Sequence, residues 1–190
     1  MQPIGPLMIE HRLIERLIAL MGQELNRIKD NVAVDPEFAF VDPVFIDIAV
    51  DFIKTYADRC HHGKEEGILF KSLADKPLSP EHRQIMEDLI REHAWARETT
   101  AKLLKAKENY LLEKAGALNE VLENLGRLVE FYPGHIEKED RHFFIPAMAY
   151  LTEAEKAEML RQMADFDQKL IHEKYRQVVE SIEQRRACRI

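Results

Sequence analysis

The sequence predicts an all-α fold, an antiparallel up-down-up-down four-helix bundle with an additional C-terminal helix. Apolar residues recur at spacings of three and four through most of the chain, and only seven glycines interrupt its 190 residues. The breaks between periodic segments carry proline together with capping residues. With 46% hydrophobic and 32% charged residues, the balance is that of amphipathic helices rather than of a membrane span or a disordered tail.

The first helix is read over 7–29, where Leu7, Ile9, Leu13, Ile14, Leu17, Ile18, Leu20, Met21, Leu25 and Ile28 mark one wide apolar face with His11 inside it. From Asn31 to Val41 the period is lost around Asp35-Pro36, which makes a loop. Asp42-Pro43 is an N-cap followed by proline at the first helical position, opening a second helix to about residue 74. Asp75-Lys76-Pro77 ends it, and Ser79-Pro80-Glu81 starts a third helix whose stripe includes His93 and whose end is placed at Lys114 to Gly116. The fourth helix, from Leu118 to about Met148, contains Pro133, which should kink it just before His135. Thr152 to Glu155 has the capping-box form and begins a fifth, highly charged helix to about 184, striped by Met159, Met163, Phe166, Leu170, Tyr175, Val178 and Ile182. We divide the chain into a bundle over 1–150 and an appended helix over 151–190, packed on the bundle or on a second copy in a homodimer.

A formal charge of −7 argues against nucleic acid, since no basic stripe is present to replace phosphate counterions; Arg185, Arg186 and Arg189 are too few. No apolar run approaches the roughly 20 residues that cross a membrane, and Glu10 and His11 fall where a signal peptide would stay apolar. A cytoplasmic location is expected. Cys60 and Cys188 are far apart and form no CxxC pair, which is compatible with a reducing compartment.

The chemistry concentrates in CHHGKEEGILF, residues 60–70, where His61 and Glu65 lie four apart on one helix face. A second pair of the same form, His135 and Glu139, occurs in the fourth helix. Counting residues along antiparallel helices from the loops places His11, His61, His62, Glu65, His93, His135 and Glu139 within a slab about 9 Å thick. Burying so many titratable groups at one level without a cation would carry a large desolvation cost, so we read a metal site. In an α-helix His62 points about 100° away from His61, and Glu66 repeats the pair spacing with His62 as a rival to Glu65. His142 shares a face with His135 but lies deeper, and is expected to support the ligands rather than to be one. His82 and His172 are expected at the surface, and the methionines as core filler. Imidazole and carboxylate without thiolate suit iron, manganese or zinc, and five histidines with two carboxylates are too many for one ion. Two ions bridged by Glu65 and Glu139 satisfy the count.

These motifs, His11, HHGKEEGILF at 61–70, His93 within REHAWA and HIEKEDRHFFIP at 135–146, resemble the hemerythrin-like or HHE cation-binding domain. The resemblance covers roughly residues 7–150. It implies two non-haem iron ions, carboxylate- and oxo- or hydroxo-bridged, with His11, His61, His93 and His135 as terminal ligands, Glu65 and Glu139 as bridges, and His62 as a further ligand. Oxygen-carrying hemerythrins have HxxxH on the third helix, where this chain has Arg97 four residues after His93, and an aspartate where it has Glu139. The likeness is therefore to the broader HHE branch, which includes iron and oxygen sensors and proteins of nitrosative and oxidative stress. Binding of O2, NO or iron in sensing, storage or stress response is the function it implies. The second reading is an enzyme acting on peroxide or nitric oxide, or an iron donor for cluster repair, with Tyr56, Cys60 and Trp95 as nearby redox-active side chains. A third is a regulatory module whose fifth helix is the partner surface.

Overall fold

The computed structural model describes residues 2–35 and 39–187, with side chains described to residue 170. Five helical segments follow one another: α1 (Ile4–Val34), α2 (43–74), α3 (Pro80–Leu111), α4 (117–150) and α5 (Glu153–Ala187). α1 to α4 form a ring in which each helix packs on its sequence neighbour and α4 closes onto α1. This is the up-down-up-down bundle that short connections impose.

The helix starts follow local chemistry. Asp42 accepts from the amides of Val44 and Phe45 at 2.9 and 3.2 Å, and Pro43 occupies the first turn where no backbone donor is needed. Ser79 caps α3 through His82 N at 3.2 Å. At α5 the box closes from both sides: Thr152 N donates to Glu155 Oε2 at 2.8 Å and Glu155 N to Thr152 Oγ1 at 3.3 Å.

Two boundaries and one expected kink differ from expectation. α1 runs to Val34, past residue 29 and into the expected loop, of which 36–38 lie outside the described residues. α3 stops at Leu111, because Glu113 turns left-handed (φ 55°); Gly116 (φ 81°) leads into α4 instead of ending α3. Pro133 sits inside regular α-helix, and helical geometry changes only beyond it, at Lys138–Phe143. That segment, Ile53–His62 and Glu65–Phe70 are wound with i→i+5 hydrogen bonds.

Two apolar clusters fill the bundle. One, built on Ile14, Ile18, Ile46, Leu103, Leu125 and Leu128, lies toward the α1–α2 loop. The other joins Leu7, Leu69, Leu89, Phe143 and Phe144 to Met159 and Met163 of α5. Between them each of α1 to α4 contributes polar groups: Leu7 and Ile14 flank His11, and Leu89 and Ala96 flank His93. Ile9, Leu13 and Leu20, expected on the apolar face of α1, fall outside it and are exposed. Phe166 of α5 comes so close to Gly63 that a Cβ there would lie 2.9 Å from its ring, so α5 seats directly on α2. The stripe positions Tyr175, Val178 and Ile182, with His172, Arg185, Arg186, Cys188 and Arg189, lie outside the described side chains. Among the described residues no helix is long and apolar enough to cross a membrane.

Candidate metal centre

All seven side chains singled out by level, His11, His61, His62, Glu65, His93, His135 and Glu139, are buried, none exposing more than 3% of its surface. They converge as two groups, His62, His93 and His135 on one side and His11, His61, Glu65 and Glu139 on the other. The two carboxylates face both. Glu65 turns Oε1 to His61 Nε2 at 3.3 Å and Oε2 to His93 Nε2 at 3.4 Å. Glu139 turns Oε2 to His11 Nε2 at 3.2 Å and Oε1 to His135 Nε2 at 3.4 Å. Each carboxylate thus offers one oxygen to either group of histidines.

The i→i+5 winding explains how His61 and His62 both enter the slab. More residues per turn means fewer degrees per residue, so neighbours that diverge in an α-helix stay on one side. His62 stacks on His93 with ring centroids 3.8 Å apart and planes 9° apart.

Each histidine is held from outside by a carboxylate. His11 Nδ1 donates to Asp140 at 2.7 Å, His61 to Glu10 at 2.9 Å, His62 to Asp58 at 3.4 Å, His93 to Glu66 at 2.8 Å and His135 to Glu92 at 2.8 Å. A carboxylate can only accept, so these contacts place a proton on Nδ1 and aim Nε2 inward. Four of the bonds run around the ring: α1 supplies a carboxylate to α2, α2 to α3, α3 to α4 and α4 back to α1. Cations complete the outer layer, with Arg12 on Asp140, Lys64 on Glu10, Lys138 on Glu92 and Arg97 on both Asp58 and Glu66.

The outer carboxylates were not found by motif reading, although a signal was present. Glu10, Glu66, Glu92 and Asp140 each neighbour one of the seven residues in sequence, yet serve a histidine on another helix. Glu66 is therefore no rival to Glu65: it is half-buried and spent on His93 and Arg97, because it faces α3. His142 is exposed and supports none of the five histidines, a correction to its expected place, because Asp140 already serves His11. His82 is half-buried, with Nδ1 2.8 Å from the Tyr150 hydroxyl. Trp95 packs on Phe131 (4.7 Å), which stacks on His135 (5.0 Å). Cys60 is half-buried, and burial with Glu10 and Asp167 alongside pushes its thiol up to about 12. Glu10, Cys60 and Asp167 also converge, but the buried Lys64 ammonium already stands against both carboxylates, 2.8 Å from Asp167.

Inside the slab the electrostatics call for positive charge. Burial disfavours an imidazolium at His11, but Asp140 and Glu139 overcome it and raise the group to about 10; for His93, Glu139 and Glu66 do the same, also to about 10. His62 is pushed well below the ordinary histidine value by burial and by His93 and His61. Burial would raise Glu139, yet His135, His11 and His93 hold it well below the carboxylate range. Among the described residues, eight inward atoms have no hydrogen-bond partner: Nε2 of His11, His61, His93 and His135, and all four oxygens of Glu65 and Glu139. Unpaired buried polar atoms are costly, and so many aimed at one space fit a cation.

The model of the hemerythrin HHE cation binding domain matches residues 2–145. The chain belongs to the hemerythrin family. Comparison with curated proteins gives no match, and neither does comparison with solved structures. Membership makes this a metal-binding helical protein, and the residues present fit the metal that the family implies. The departure at Arg97 also acquires a physical account. Where an oxygen-carrying hemerythrin has a second third-helix histidine, this chain turns a guanidinium outward onto Asp58 and Glu66, and α2 brings the His62 imidazole in beside His93.

Proposed function

We propose that this hemerythrin-family chain holds two non-haem iron ions between its four helices and binds a small diatomic molecule, O2 or NO, or iron itself, in sensing, storage or stress response. The observation that carries the reading is the set of unpartnered inward atoms on Glu65, Glu139 and the histidines, each histidine fixed from outside by a carboxylate. His62, His93 and His135 would serve one ion and His11 and His61 the other, with Glu65 and Glu139 shared. Five imidazoles and two carboxylates offer nine donor atoms, against about twelve for two octahedral ions, which leaves room for a small ligand. When bound, iron would supply a redox-active centre. The protein's part is to orient the imidazoles and to exclude bulk water.

The test is metal content. Protein prepared anaerobically with excess iron should carry two equivalents per chain, and the His61→Ala/His135→Ala double variant should lose them. Fewer than two equivalents, or unchanged content in the double variant, overturns the di-iron assignment. The same donors accept manganese or zinc, so elemental analysis names the metal. Reduced protein exposed to O2, NO and peroxide then separates the roles: a stable, reversible spectral adduct supports binding, and repeated turnover supports the alternative of an enzyme acting on peroxide or nitric oxide. Cys60 and Trp95 lend that alternative little, the first being a protonated thiol and the second a packing residue.

A further inference from the structure

A cavity of about 220 Å³ opens between α2, α3 and α4. His62, Asp58, Ala96, Arg97, Thr100 and Tyr132 line it. It thus shares a wall, the His62 imidazole, with the candidate metal centre.

Most polar groups of the wall are already engaged. Thr100 Oγ1 donates to Ala96 O at 2.7 Å. Arg97 Nε donates to Asp58 at 2.6 Å and its Nη2 to Glu66 at 2.6 Å. Tyr132 differs: only 1% of its surface is exposed, and its hydroxyl has no hydrogen-bond partner among the described residues. A buried hydroxyl is seldom left unpaired, because it gives up water without compensation. The hydroxyl lies in the field of Asp58, Glu139 and Arg97, two of which line the cavity. A phenol keeps its proton at neutral pH, so the hydroxyl can donate.

Size limits what the donor can meet. Pockets for drug-sized ligands span roughly 300–1,000 Å³. A water takes about 30 Å³ of liquid volume. The cavity therefore has the volume of about seven waters, enough for a small molecule and not for a drug-sized one, and the free donor requires that molecule to carry an acceptor.

We infer that this cavity is the pocket for a small acceptor-bearing molecule, held beside His62 by a hydrogen bond from the Tyr132 hydroxyl. The inference rests on the metal-binding reading and deepens it, naming the side of the centre from which a small ligand is presented and the residue that positions it. Arg97, partly exposed and fixed by Asp58 and Glu66, stands at the outer wall.

Azide, a triatomic acceptor, is the probe. Iron-loaded oxidised protein, its metal content measured first, is titrated with azide while the antisymmetric azide stretch is followed in the infrared. Tyr132→Phe should weaken azide binding about five- to tenfold, the effect of one lost hydrogen bond, and shift the bound stretch. Ala96→Leu, which fills the cavity from α3 and leaves the hydroxyl in place, should weaken binding as well. Without azide, Tyr132→Phe should unfold at the same temperature as the parent or higher, because the hydroxyl it removes is unpaired. Equal affinity with an unshifted stretch in Tyr132→Phe overturns the inference, as does a Tyr132→Phe protein less stable than its parent in azide-free buffer. Failure to load metal would instead remove the underlying reading, so the two failures are told apart by the metal measurement.

Discussion

On the His11 and His61 side of the slab side chains pack directly against the imidazoles, and the cavity of about 730 Å³ on that side lies outside them, along Glu10, Cys60 and Asp167. Phe144 stacks flat on His11, centroids 5.6 Å apart and planes 5° apart. Lys64, with none of its surface exposed, ties Glu10 of α1 to Asp167 of α5, and Phe166 seats over Gly63. On the His62, His93 and His135 side the inner chemistry is the same, imidazoles turned by outer carboxylates, but the outer cations are the partly exposed Arg97 and Lys138, and a cavity is lined by both Arg97 and His62. The contrast teaches that position in the ring decides access more than donor type does. One half is braced by a fifth helix and a buried ammonium; the other is closed by a surface guanidinium over a small space.

The largest effect should come from what the halves share. Glu139→Ala removes one oxygen facing each half, so elemental analysis should find metal lost from both, with fewer than one equivalent per chain. Retention of one full equivalent would mean that the halves load independently and that Glu139 does not bridge them.

Next comes the difference in bracing. Lys64→Ala leaves the carboxylates of Glu10 and Asp167 facing each other without their cation, and breaking a buried ion pair costs about 3–5 kcal/mol. Arg97→Ala removes a guanidinium that is 39% exposed, where pairs contribute about 0–1 kcal/mol. Urea denaturation of the two variants should therefore show a clear loss for the first and a small one for the second. Equal losses would erase the distinction drawn here between the two sides.

The smallest expected effect is at the start of α5, which covers the His11 and His61 side alone. Thr152→Ala opens the capping box and should lower stability by about 1 kcal/mol. Lys76 and the Thr152 amide and hydroxyl hold the Glu155 carboxyl down to about 2, from an ordinary 4.5. A depressed carboxylate stabilises the fold fully above its unfolded value, so this contribution is present above pH 4.5 and lost as pH falls through about 2. Hydrogen exchange at the first turn of α5 should rise over that interval in the parent and already be high in Thr152→Ala. Flat exchange in the parent would show that the box does not hold this turn.

Much of this protein was legible because it is nearly one-dimensional. Caps such as Asp42, Ser79 and the Thr152 box are local bonds that residue type and spacing announce. Level along an antiparallel bundle follows from rise per residue, which is why His11, His61, His93 and His135 could be brought together by counting. Direction around each helix could not be counted in the same way. It depends on the i→i+5 turns at Ile53–His62, Glu65–Phe70 and Lys138–Phe143, which no residue pattern marks, and on which neighbour each face meets. Those turns brought His62 inward, and helix packing spent Glu66 on His93 and left His142 in solvent. The sequence by itself determined the helices, their order and the height at which the polar groups lie, since these depend on contacts between near neighbours. Only the tertiary structure decided which carboxylate steadies which imidazole, and that α5 covers one half of the slab while a cavity borders His62 of the other, because both depend on angles between helices far apart in the chain.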